Sequence, residues 1–182
     1  MKHLIKYFCL FTFAFLLISA CRPPAAPVSV SNQPISGRNM PPSKNLEDMS
    51  WMSLDGNTQQ LKDLQGNVVI LDFWATYCPP CLEGIPHFVD LQKKNQGLKV
   101  IGLNVGGDED KPKIDGFIKR FNINYPIAIP ENELTNLIFQ GDDTIPQTAV
   151  FDKQGKLVKK FVGFSDSIKR DIDATVEETL KK

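Results

Sequence analysis

The chain of 182 residues predicts an α/β fold, one mixed central sheet with helices on both faces. Two observations carry this. The apolar runs "VVILDFW" (68–74) and "LKVIGLNV" (98–105) flank a helical stretch, which makes a parallel βαβ half. "QTAVF" (147–151) and "LVKKFVG" (157–163) flank Asp152-Lys153-Gln154-Gly155, an antiparallel hairpin with a final helix behind it. The length suits one domain with a full core rather than two.

The first 20 residues stand apart from that fold. "MKHLIK" is a basic start, and "YFCLFTFAFLLI" is an uncharged apolar run of 12, the length of a signal-peptide core and too short to span a bilayer comfortably. "ISAC" closes it and resembles the lipobox of bacterial lipoproteins. The resemblance implies cleavage before Cys21, with lipid on its thiol and its new amino group, and an anchor made of several acyl chains. Removing Lys2 and Lys6 from the 21 basic residues leaves 19 against 21 acidic ones, a net charge of −2. That balance gives no general attraction to nucleic acid. Residues 21–45 then read as a tether. Six of the 24 residues after Cys21 are Pro and none is aromatic, so the segment buries too little to fold alone. As a flexible coil it reaches about 25–30 Å.

The folded domain is expected over residues 46–182. "MSWMSLDGNTQQLKDLQG" predicts a small hairpin about Asp55-Gly56-Asn57 and then a helical turn. Residues 68–74 form a central strand. Residues 79–95 form a helix that Pro86 should kink. A second strand follows at 98–105, then a helix at 111–121 with Pro near its start. "PIAI" (126–129) is short and extended, and "ENELTNLIF" (131–139) is helical. The closing helix takes Ser165 or Asp166 as its N-cap. "GGDEDK" (106–111) lacks the spacing of a calcium loop and reads as a solvated turn. His87 reads as a surface residue.

Of the four cysteines, Cys9 leaves with the signal and Cys21 takes the lipid, so Cys78 and Cys81 remain in the fold. Two residues between cysteines, after a strand and opening a helix, are a redox signal. At a helix N-terminus the macrodipole and free N–H groups stabilise a thiolate, the attacking species in disulfide exchange. Cys78 should be exposed there and act as nucleophile. Cys81, a turn into the helix, should be shielded and resolve the adduct. A zinc clip would need four ligands, and no second pair exists. Copper(I), which suits two thiolates, stays open as an alternative. So does a structural disulfide, although its loop is too short to gain much. No cofactor is called for beyond the redox-active disulfide. Asp72 is an odd residue inside an apolar strand. It either faces solvent at the strand end or is a buried acid beneath the cysteines that takes the proton of Cys81. Trp74 is a lid against the pair at the substrate face, or a core Trp.

"LDFWATYCPPC" resembles a thioredoxin active site. With the lipobox, the entry hairpin and a central insertion, residues 46–180 are similar to the TlpA/ResA-like branch of thiol–disulfide oxidoreductases. That resemblance implies a thioredoxin fold with an N-terminal hairpin and a TlpA-type insertion. It implies extracytoplasmic exchange on exported proteins, with electrons from a membrane thiol carrier, at the periplasmic face where a cell has two membranes. The direction is reductive, with oxidation or isomerisation as the alternative. In "TIPQT" it implies a cis Pro146 facing the cysteines, with Ile145 offering backbone groups to a bound substrate. Cytochrome-maturation members often carry Glu three residues after the second cysteine, where this chain has Gly84. Tyr77 stands where Trp is usual.

Overall fold

The computed structural model describes residues 45–182. The predicted signal, Cys21 and nearly all of the tether lie outside the described residues. Among the described residues no helix is long and apolar enough to cross a membrane.

The chain enters through a 3₁₀ turn at Leu46–Asp48 and a hairpin of β1 (Ser50–Ser53) and β2 (Thr58–Gln60). A second 3₁₀ turn, Leu61–Leu64, leads to β3 (Val68–Trp74). Then come α1 (Pro79–Lys94), β4 (Leu98–Asn104), α2 (Lys111–Phe121), β5 (Ile127–Pro130) and α3 (Asn132–Phe139). The chain closes with β6 (Gln147–Phe151), β7 (Leu157–Val162) and α4 (Asp166–Leu180). The sheet order is β2-β1-β5-β4-β3-β6-β7. β3, β4 and β5 run parallel, and β1 and β6 attach antiparallel on either side. This is the mixed sheet the sequence predicts. β5 joins the sheet between β4 and β1.

β3 is buried along its whole length, as its unbroken apolar run requires. Its side chains alternate between two cores. Val68, Ile70 and Trp74 pack with Ile85 and Phe88 of α1, Ile114 of α2 and Ile172 of α4. Val69, Leu71 and Phe73 pack on the other face with Leu134 and Ile138 of α3, Trp51 and Leu61. Helices therefore cover both faces. Pro86 lies inside α1 without ending it; the helix runs on to Lys94. Asn95 receives the chain after it, its N–H bonding to the Leu91 carbonyl.

Candidate active site

The strand-to-helix junction after β3 builds the site. Cys78 is the N-cap of α1, and Pro79 and Pro80 fill the first helical positions, where a missing N–H costs nothing. The Cys78 sulfur itself serves as the cap: Cys81 N–H donates to Sγ at 3.3 Å. Cys78 and Cys81 are joined as a disulfide, with Cα atoms 5.3 Å apart.

Cys78 differs from its expected exposure. It is only 5% accessible, against 1% for Cys81. The cause is the loop before β6. The Ile145–Pro146 bond is cis, and the Ile145 carbonyl oxygen lies 3.7 Å from Cys78 Sγ. The Ile145 carbonyl thus stands against the Cys78 sulfur, with the cis Pro146 next to it in the chain, as the resemblance implies. Tyr77, the residue before Cys78, is 65% exposed and offers an apolar surface next to the pair.

Trp74 is not a lid. It ends β3 inside the same core as the cysteines, 1% exposed and tilted against Phe117. With almost no accessible surface, it supports the pair from within and has no face for a substrate.

Asp72 is buried on β3, between Gly102 of β4 and Thr148 of β6. Strand alternation puts it on the face of Ile70 and Trp74, which is the face of the cysteines. Burial pushes its carboxyl from the usual 3.8 to about 7, while the hydroxyl of Thr148, donating to Oδ1 at 3.2 Å, pulls the other way. Burial also raises the Tyr125 phenol well above its ordinary range, and the Asp72 charge nearby adds to this. Gly102 makes room for the arrangement. A Cβ there would collide with Ile127 and crowd Tyr125 and Trp74.

The segment 106–111 is the turn its composition suggests, with Gly107, Asp108, Glu109 and Lys111 exposed, but one of its acids is not solvated. Asp110 is fully buried. Its Oδ2 accepts from Thr76 N at 2.8 Å and from Asn104 Nδ2 at 2.9 Å, and its Oδ1 accepts from the Thr76 hydroxyl. Burial works to raise this carboxyl, but the bonds from Asn104 and Thr76 and the Lys113 charge outweigh it and hold it below its usual range. The one local signal was an acid just ahead of a helix, and its capping position hid its real partner.

His87 also departs from expectation. α4 packs over α1, so the His87 side chain is 8% exposed, its Nε2 3.1 Å from Asp173 Oδ1. Its ring lies near Phe88 and Phe164, at centroid distances of 5.6 and 6.0 Å. Burial lowers its pKa, against the pull of Asp173. Among the described residues, no group of three or more His, Cys, Asp or Glu is arranged to hold a metal.

A parallel βαβ half joined to an antiparallel ββα half, with a cysteine pair capping the first helix beneath a cis-proline loop, defines a thioredoxin-like protein. Residues 36–176 match the Redoxin family, and the chain belongs to that family, with TlpA/ResA-like relatives. One relative is the thiol-disulfide oxidoreductase ResA of Halalkalibacterium halodurans, 33% identical over 112 residues. That match spans 60% of this chain and 62% of the relative's length. Among solved structures, a thiol:disulfide interchange protein of Chlorobium tepidum is 31% identical, with a TM-score of 0.61, over 72% of this chain and 92% of that one. The exposed lipoprotein thioredoxin Etrx1 of Streptococcus pneumoniae is 28% identical, with a TM-score of 0.56, over 71% and 97%.

Proposed function

We propose that this chain is a thiol–disulfide oxidoreductase, lipid-anchored through Cys21 outside the cytoplasm, that reduces disulfides of exported proteins. The observation that carries the reading is the Cys78 sulfur at the N-cap of α1, bonded to Cys81 and facing the Ile145 carbonyl. Support for the activity comes from relatives named for it, and for the anchor from "ISAC" and a relative described as an exposed lipoprotein.

In the reduced protein the Cys78 thiolate attacks one sulfur of a substrate disulfide. A mixed disulfide forms, and the first substrate thiolate leaves. Asp72 takes the proton of Cys81, whose sulfur then attacks Cys78 Sγ and releases the second substrate thiolate. Two electrons pass to the substrate, and the Cys78–Cys81 bond is left behind. An external dithiol at the membrane returns the electrons. A substrate strand lying across Tyr77 and Ile145 presents its disulfide to Cys78. No cofactor beyond the pair takes part.

Trapping tests the reading. Cys81→Ser should accumulate mixed disulfides between Cys78 and partner proteins, because nothing resolves the adduct, while Cys78→Ser should trap few. Equal trapping by both variants would overturn the assignment. Equilibration with dithiothreitol or glutathione gives the direction: a potential near thioredoxin's, about −270 mV, supports the reductase, and one near about −120 mV an oxidase.

A further inference from the structure

We propose that Asp110 is a positioning residue of the redox site: its buried carboxylate ties the loop after β4 to the turn at residues 75–78 and so holds Cys78 at the N-terminus of α1. The inference rests on Cys78 being the attacking sulfur.

The bonds run to the turn that carries Cys78. Asp110 accepts from both the backbone N–H and the hydroxyl of Thr76, two residues before Cys78. Cys78 N–H in turn donates to the Ala75 carbonyl at 3.2 Å, closing the turn. The acid is fixed from its other side. Asn104 donates its amide to Asp110 and accepts from Gly106 N at 3.1 Å. Gly106 approaches so closely that any Cβ there would collide with the Asp110 carboxylate. Thr76 and Asn104 are buried, so neither has water as a substitute acceptor. Although Asp110 occupies the N-cap position of α2, its side chain makes no capping bond to that helix. It faces the cysteine turn instead.

A fixed turn matters because the pair works in two forms. When the disulfide opens, the bond to Cys81 no longer holds the Cys78 sulfur. The backbone at 76–78 must then keep it against the free N–H groups that stabilise thiolate. Without the Asp110 bonds the turn relaxes, the Cys78 thiol becomes less acidic and attack slows. Loss of the Asp110 charge, which Lys113 faces at 3.5 Å, works the other way, and Thr76→Val, which keeps both charges, isolates the effect of the bonds.

The test is alkylation of the dithiothreitol-reduced full chain by iodoacetamide between pH 4 and 9, with peptide mapping to follow Cys78. Asp110→Ala should move the pH midpoint of Cys78 labelling up by about one unit and slow labelling near pH 7 by about tenfold. Thr76→Val, which loses only the hydroxyl bond, should shift in the same direction by less. Thr76→Ser keeps that bond and should match the unaltered chain. Midpoints within about 0.3 pH unit and rates within about twofold of the unaltered chain in both Asp110→Ala and Thr76→Val would leave Asp110 a structural acid and overturn the proposal. If Asp110→Ala does not fold, the Thr76→Val and Thr76→Ser pair decides alone. Faster labelling of Cys81 than of Cys78 in the unaltered chain would overturn the choice of nucleophile, and this inference with it.

Discussion

Asp72 sets a conflict between stability and chemistry at a single residue. Its folded pKa, about 7, lies above the ordinary 3.8, so the native state keeps a proton that the unfolded chain has lost. The group therefore costs nothing near pH 4, destabilises increasingly as pH rises toward 7, and reaches a constant penalty above it. At about 1.4 kcal/mol per pKa unit that penalty is on the order of 4 kcal/mol. Asp72→Asn is neutral at every pH and still accepts from Thr148. It should gain little at pH 4.5 and a few kcal/mol at pH 8.5, read from urea titrations of the oxidised protein. An equal gain at both pH values would show that burial of charge is not the cause. The same change should slow resolution of the mixed disulfide by about 10² or more, because Asn cannot take the Cys81 proton. Pro146 was singled out only by the resemblance to a thioredoxin active site, whereas the cysteine pair and Asp72 were legible in the sequence because each is a local anomaly: two thiols at a helix start and an acid in an apolar strand. Thr148, Tyr125 and Asp110 were not. Their roles come from register across strands or from a loop folding back, neither of which leaves a local mark.

Among the elements, those with strong periodicity were read to within a residue or two. α2 and β6 fall on their predicted spans, and β5 is shifted by one. Pro86 is exposed on α1, and the helix continues past it, as the predicted span of 79–95 requires, despite one missing donor, because Ile85, Phe88 and Leu91 anchor its inner face. The departure at His87 has a physical reason. His87 is covered because α4 crosses α1, and no pattern within α1 announces a neighbour. α4 itself is capped as expected: Ser165 Oγ accepts from Ile168 N–H at 3.3 Å. Ile172 and Val176 then bury its inner face against the core that holds the cysteines. Ser165→Ala should cost about 1 kcal/mol, and Ser165→Asp should restore most of it. Thermal unfolding of the three proteins measures this. A loss of stability that Asp does not repair would assign the effect to Ser167, which shares a hydroxyl contact with Ser165 at 3.0 Å, rather than to the cap.

On the scale of the whole domain, the sheet separates two cores with different duties. The core under α1, α2 and α4 contains both cysteines and Trp74. The core on the other face contains Trp51, Leu61, Leu134 and Phe139 and no thiol. Leu61 is the cleanest probe of that division. It is almost fully buried in the second core, on the turn that follows β2, and β2 is an edge strand, four strands from β3 in the sheet order. Leu61→Ala removes three buried carbons and leaves a cavity that the surrounding sheet cannot fully close. A cost of about 2–5 kcal/mol is expected, enough to lower the denaturant midpoint plainly. The redox site should not feel it. Neither the Cys78 turn nor Asp110 or Asp72 draws a hydrogen bond from the turn that carries Leu61, and the one site residue that packs on the second core is Ile145, which also packs on the first. In the folded, reduced variant, the pH midpoint of Cys78 alkylation should therefore stay within about 0.3 unit and its rate within about twofold of the unaltered chain, while Asp110→Ala moves both. A Leu61→Ala protein that is as stable as the parent would show that the second core is loosely packed. One that is destabilised and also shifted in its Cys78 profile would show that strain crosses β3, and that the two faces of the sheet act as one unit.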